Sequence, residues 1–164
     1  MIEDVGVVVA FWVLAIITLA GALGMVAVRN LLHAVYLLIL SFVGVAGLYI
    51  TLSADFVAVT QILIYAGAVA ILLIFAIMLT PRASRDNAEG RYWRPAALMA
   101  ALVAFIIGFA ALATDWRVVS RGPFPQTTEA IGEALLDKYV LPFEIAGVLL
   151  TVALIGAVVL VRED

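Results

Sequence analysis

The chain has 164 residues, 66% of them hydrophobic and 13% charged, with nine basic residues against twelve acidic and a mean hydropathy of +1.23. A soluble domain is about 45 to 50% apolar, so this is a membrane protein, and a net charge of -3 without a basic stripe excludes nucleic-acid binding. Cysteine is absent, which excludes disulfides, thiolate metal sites and iron-sulfur ligation by this chain, so any electron-carrying cofactor belongs to another chain.

A hydrocarbon core about 30 Å thick needs about 20 mostly apolar residues per helix. Five runs meet that length, at 5–28, 31–52, 56–79, 96–114 and 142–161. They show no barrel-like alternation and must satisfy their backbone groups internally, so the fold class is an all-α bundle of transmembrane helices. No stretch of roughly 50 residues is left over for a soluble domain, which makes residues 1–164 a single bundle.

In chain order, the N-terminus MIEDVG is acidic and leads into a run too long for a signal-peptide core, so no cleaved signal is expected. Trp12 falls within the first span. Only Arg29 and Asn30 separate the first two spans, and Ser53, Ala54 and Asp55 separate the next pair, so these three helices are antiparallel neighbours. The single His33, near the start of the second span, reads as an interfacial residue, since one His makes no metal site. The small pairs Ala20 with Gly24, Gly47 with Thr51 and Gly147 with Thr151 imply close helix packing.

Tyr92 and Trp93 before the fourth span, and Trp116 after it, sit where an interfacial aromatic belt belongs. The last loop opens with a turn at Gly122, Pro123 and Pro125. Beyond it Ile131, Leu135 and Tyr139 recur at four-residue spacing, the mark of a short amphipathic helix on the outer surface or of a partner-facing patch. Arg29, Arg82, Arg85, Arg91, Arg94 and Arg162 fall on one side of the membrane. Arg117, Arg121 and Lys138 fall on the other with most of the acidic residues. The N-terminus is therefore expected outside and the C-terminus inside.

No carboxylate, Lys or His occupies the centre of a span, which weighs against a self-sufficient pump. Asp55 and Glu144 come nearest. Each fits either a capping role against a helix N-terminus, with Pro142 supporting that role for Glu144, or a place on a proton path. The third run, QILIYAGAVAILLIFAIML, places Gln61 and Tyr65 four apart among Ala66, Gly67, Ala68 and Ala70. One reading is close packing with an interhelical hydrogen bond from each polar group. The other rests on Gly67, which costs a helix about 0.8 to 1 kcal/mol relative to Ala and permits the local rewinding found at functional sites.

The stretch DFVAVTQILIYAGAVAILLIFAIML at 55–79 resembles the third transmembrane helix of the J-subunit (ND-six type) family of NADH-quinone oxidoreductase, respiratory complex I. RNLLHA at 29–34, IGEALLDKYVLPFE at 131–144 and IGAVVL at 155–160 agree, and the resemblance covers the whole chain. It implies a non-redox subunit of the membrane arm of a proton-translocating enzyme in a bacterial inner membrane. Other membrane-arm subunits and lipid are the implied partners, quinone is met only indirectly, and flavin, iron-sulfur clusters and quinone sit in the partner subunits. It further implies a π-bulge near Tyr65 and Gly67, with Gln61 and Ala68 beside them, that couples quinone reduction to proton movement by winding and unwinding. The rival readings are a subunit of a cation/proton antiporter or membrane-bound hydrogenase, and a stand-alone small transporter or packing protein.

Overall fold

The computed structural model describes residues 2–80, 93–116 and 127–161, and every regular element among them is helical. Arg82, Arg85, Arg91, Tyr92, Arg117, Arg121, the turn at Gly122, Pro123 and Pro125, and Arg162 lie outside the described residues, and with them most of the charge pattern that bears on orientation. Five helices are long and apolar enough to cross a membrane: Val5–Ala27, Leu31–Thr51, Asp55–Leu79, Arg94–Ala113 and Val140–Val161.

The last two spans begin earlier than the apolar runs suggest, because the fourth helix opens at Trp93 and the fifth at Val140. In both cases a proline, Pro95 or Pro142, stands third in the helix. The first turn has no intrahelical acceptor for its N–H groups, so a residue without an N–H loses nothing there. Proline marks the first turn of these helices and not the residue before them.

The chain divides into two compact units, Met1–Pro123 and Phe124–Asp164. In the first unit the two opening helices meet along a seam of small residues. A Cβ added to Gly21 would stand 2.8 Å from the Leu37 carbonyl oxygen and 3.0 Å from the Ser41 nitrogen, and one added to Gly44 would meet Thr18 Oγ1 and the Thr18 nitrogen, the latter at 3.2 Å. Lipid tails give helices no hydrophobic reason to associate, so backbone approach of this closeness supplies the van der Waals contact that holds them. The Thr18 hydroxyl, which lipid would leave unsolvated, donates to the Leu14 carbonyl at 2.8 Å.

Asn30 caps the second helix by accepting a hydrogen bond from the Leu32 N–H at 3.0 Å, which explains why so short a turn suffices. At the other end, Ser53 adopts a left-handed φ of 57°. The Ser53 N–H then donates to Ile50 and the Ala54 N–H to Tyr49, at 3.0 and 2.9 Å, the paired bonds of a Schellman motif. The third helix follows at once from Asp55. It packs along the second helix, whereas the fourth packs on none of the other described elements of the unit. Trp12 is mostly exposed, its ring meeting Phe11 edge-on at 5.8 Å, so the indole points out of the bundle. Trp116 closes the fourth helix by donating from Nε1 to the Ala111 carbonyl at 2.9 Å.

In the second unit the short helix Thr127–Leu136 packs against Val140–Val161. Ile131 and Leu135 are half-buried and Glu133 exposed, as the spacing predicts, whereas Tyr139, the third member of that stripe, lies past the end of the helix and is exposed. The chain turns between the two helices through a hydrogen bond from the Tyr139 N–H to the Ala134 carbonyl at 2.8 Å.

Candidate functional site

The third span is one continuous helix with three windings, α over Asp55–Thr60, π over Gln61–Val69 and α again over Ala70–Leu79. A π-helix normally occurs as a single-turn bulge, so nine consecutive residues make a long departure from regular winding. Its borders stay in the right-handed helical region, with φ -60 and ψ -41 at Thr60 and φ -65 and ψ -39 at Ala70. The Ala70 N–H points at the carbonyl of Tyr65, five residues back, as well as at that of Gly67. At this border the N–H keeps a backbone acceptor, and what changes is which carbonyl it uses.

Gly67 lies inside this segment for a steric reason. A Cβ at that position would sit 3.3 Å from the Ile62 carbonyl oxygen, again five residues back, and that backbone oxygen would have to yield by a few tenths of an ångström. The crowding belongs to the π winding, which brings the carbonyl five residues back up to residue 67. A side chain there crowds this carbonyl in the π form.

Two residues of the span are buried within the chain, one on each side of the π segment. Ala58 before the segment is 2% exposed and Ala70 after it is 0% exposed, yet none of the nine π-wound residues is buried. Tyr65 is 47% exposed, and its ring meets that of Phe42 on the second helix edge to face, with centroids 5.6 Å apart and planes at 67°. Gln61 is half-buried. Neither the Gln61 nor the Tyr65 side chain makes a hydrogen bond among the described residues, so the interhelical bonds suggested by their spacing are not formed within this chain. Ala66 is half-buried and Ala68 exposed, so within the chain only Ala70 of that small-residue cluster serves close packing. Phe42 was invisible to sequence reasoning, because which residue of a neighbouring helix faces Tyr65 depends on how the two helices are rotated.

The two candidate carboxylates stand in different settings. Asp55 is the first residue of the third helix and is exposed, where it meets the positive end of the helix dipole. The residue ahead of it, Ala54, has no side chain to cap the helix. Glu144 is also exposed, but because the fifth helix begins at Val140 it is the fifth helical residue. It lies past the first turn, whose N–H groups are the ones a capping carboxylate serves. The capping role considered for Glu144 therefore fails, and Pro142 supports the helix start by itself. Asp55 and the π segment belong to the first unit, and Glu144 to the second.

Residues 21–160 match the family described as NADH-ubiquinone/plastoquinone oxidoreductase chain 6. The chain belongs to this family. Among chain 6 relatives, it is 39% identical over 160 residues to NAD(P)H-quinone oxidoreductase chain 6 of Synechocystis sp., covering 95% of this chain and 81% of the relative. It is 43% identical over 164 residues to the organellar chromatophore subunit 6 of Paulinella chromatophora, covering 95% and 78%. The F(420)H(2) dehydrogenase subunit J of Methanosarcina mazei is 35% identical over 159 residues, covering 94% and 90%. The chain 6 match takes in the whole π segment, the Phe42 helix and both candidate carboxylates. The resemblance seen in QILIYAGA and YVLPFE is thus to the family the chain belongs to.

Proposed function

We propose that this chain is a membrane-arm subunit of a proton-pumping NADH-quinone oxidoreductase, and that its third helix couples quinone reduction to proton translocation by converting between π and α winding. The observation that carries the reading is the nine-residue π segment in mid-span with no buried member, in a chain of this family. Switching needs two packings of similar energy, and an element that buries little within its own chain loses few contacts there in passing from one to the other. In this account Gly67 permits the π form, Tyr65 and Gln61 bring polar groups that find different partners in the two windings, and Ala68 leaves room for that exchange. Asp55 and Glu144 are the carboxylates available to a proton path. Glu144 has the stronger claim, because a carboxylate within a span is costly and its capping function is gone.

The chain contributes no redox chemistry in this reading. It has no cysteine, and flavin, iron-sulfur clusters and quinone are held by partner subunits. Its relatives are named for two reduced donors, NAD(P)H and F(420)H(2), which supports a role in a step common to both and leaves the donor to be set elsewhere in the complex. The exposed fourth and fifth spans present apolar faces for other membrane-arm subunits and lipid. In this reading the complex sits in a bacterial inner membrane, with this chain's N-terminus outside as its charge pattern suggests.

The test is Gly67→Val in the intact complex, reconstituted in vesicles, with protons moved per electron as the readout. The variant assembles and reduces quinone with a lowered proton yield. An undiminished yield would remove the switch from the account.

A further inference from the structure

We infer that Phe42 is a positioning residue for the third helix, a latch whose ring holds Tyr65 and thereby favours the π winding. The inference rests on the switching role proposed above and adds the part that sets its resting state. The second helix is a fixed reference. Ser41 and Gly44, the residues on either side of Phe42 along the seam, lie against Gly21 and Thr18 of the first helix at backbone distance, so the second helix cannot rotate without breaking that seam. The third helix carries the irregular winding, and the Tyr65–Phe42 contact is the one ring pair that reaches the Gln61–Val69 segment from another described element.

The geometry is that of a favourable aromatic pair. Centroids at 5.6 Å and an interplanar angle of 67° place the positive ring edge of one residue toward the negative face of the other. Rewinding from π to α removes the extra residue of the bulge and turns the segment by about one residue's arc, roughly 100°. A ring carried through that arc leaves Phe42 behind. The contact therefore exists in one winding and not in the other, which is the differential interaction a two-state element needs in order to be biased. An aromatic pair of this kind shifts such an equilibrium roughly three- to tenfold.

The experiment compares Phe42→Leu with Phe42→Tyr in the assembled complex, by classifying particle images for π or α register of the Gln61–Val69 segment. Leu keeps much of the apolar volume and loses the ring, whereas Tyr keeps the ring. A π-to-α population ratio lower by roughly three- to tenfold in the Leu variant, restored to the parent ratio in the Tyr variant, is the expected result. An equal ratio in the parent and the Leu variant overturns the latch, and so does an equal fall in both variants, which would make residue 42 a matter of volume alone. The readout is distinct from proton yield. Loss of the latch leaves the Gly67→Val result standing, and an undiminished proton yield in Gly67→Val would defeat the switch while the effect of Phe42 on winding is still measured.

Discussion

Two seams run along different faces of the same second helix, and they are built in opposite ways. Toward the first helix, Gly21 and Gly44 let backbone meet backbone, so that a single added carbon would collide with the neighbouring main chain. Toward the third helix, buried residues are few, Ala58 and Ala70, and the π segment between them offers one aromatic edge and no buried residue. The first arrangement admits one position of the two helices. The second, on the proposed reading, leaves the third helix room to turn. A protein interior is bistable only where close packing does not already dictate one answer.

The contrast is sharpest where the tight seam is attacked. Gly44→Leu forces a branched side chain into space held by Thr18, an overpacking that costs about 1 to 3 kcal/mol or more. We expect the subunit to be missing from the purified complex, judged by native gel and subunit composition. Gly67→Ala acts on the loose seam, where it adds helix propensity of about 1 kcal/mol and crowds the Ile62 carbonyl. The complex assembles, and the population shifts toward α winding by roughly fivefold, seen by classifying particle images for the register of 61–69. If Gly67→Ala blocked assembly as Gly44→Leu does, the two seams would be alike and the comparison would fail.

A smaller effect is expected at Glu144. Glu144→Gln keeps size and hydrogen-bonding capacity while removing the charge, so the proton yield falls with assembly and winding unchanged. A yield equal to the parent's would return this residue to a structural role. The smallest effect belongs to the turn before the third helix. Ser53 holds a φ of 57° that glycine adopts without steric cost, and Ser53→Gly relieves about 0.5 to 1 kcal/mol of strain. Slower amide exchange at Ser53 and Ala54, by about two- to fivefold, is the expected result.

Much of the scaffold was legible in the residues. The five spans follow from hydropathy, and Asn30 announces its cap. Pro142, expected in a first turn, stands in one, but the last two helices start earlier than the apolar runs suggest, at Trp93 and Val140 and not at 96 and 142. That difference mattered for Glu144, whose capping role depended on where the helix starts. At the site, Gly67 was visible as a weak point in an otherwise continuous helix. The length of the π segment was not, because one glycine marks a weak point without saying how far the altered winding runs. Phe42 left no trace at all, since the facing residue across two helices is a property of their mutual rotation.

The account rests on the third helix having two windings, and the most direct measurement is the backbone hydrogen-bond register of residues 61–70 in the assembled complex, imaged at rest and during turnover. The account predicts the Ala70 N–H bonded to the Tyr65 carbonyl in one population and to the Ala66 carbonyl in the other, with Tyr65 leaving Phe42 in the second. One unchanging register under both conditions would contradict it.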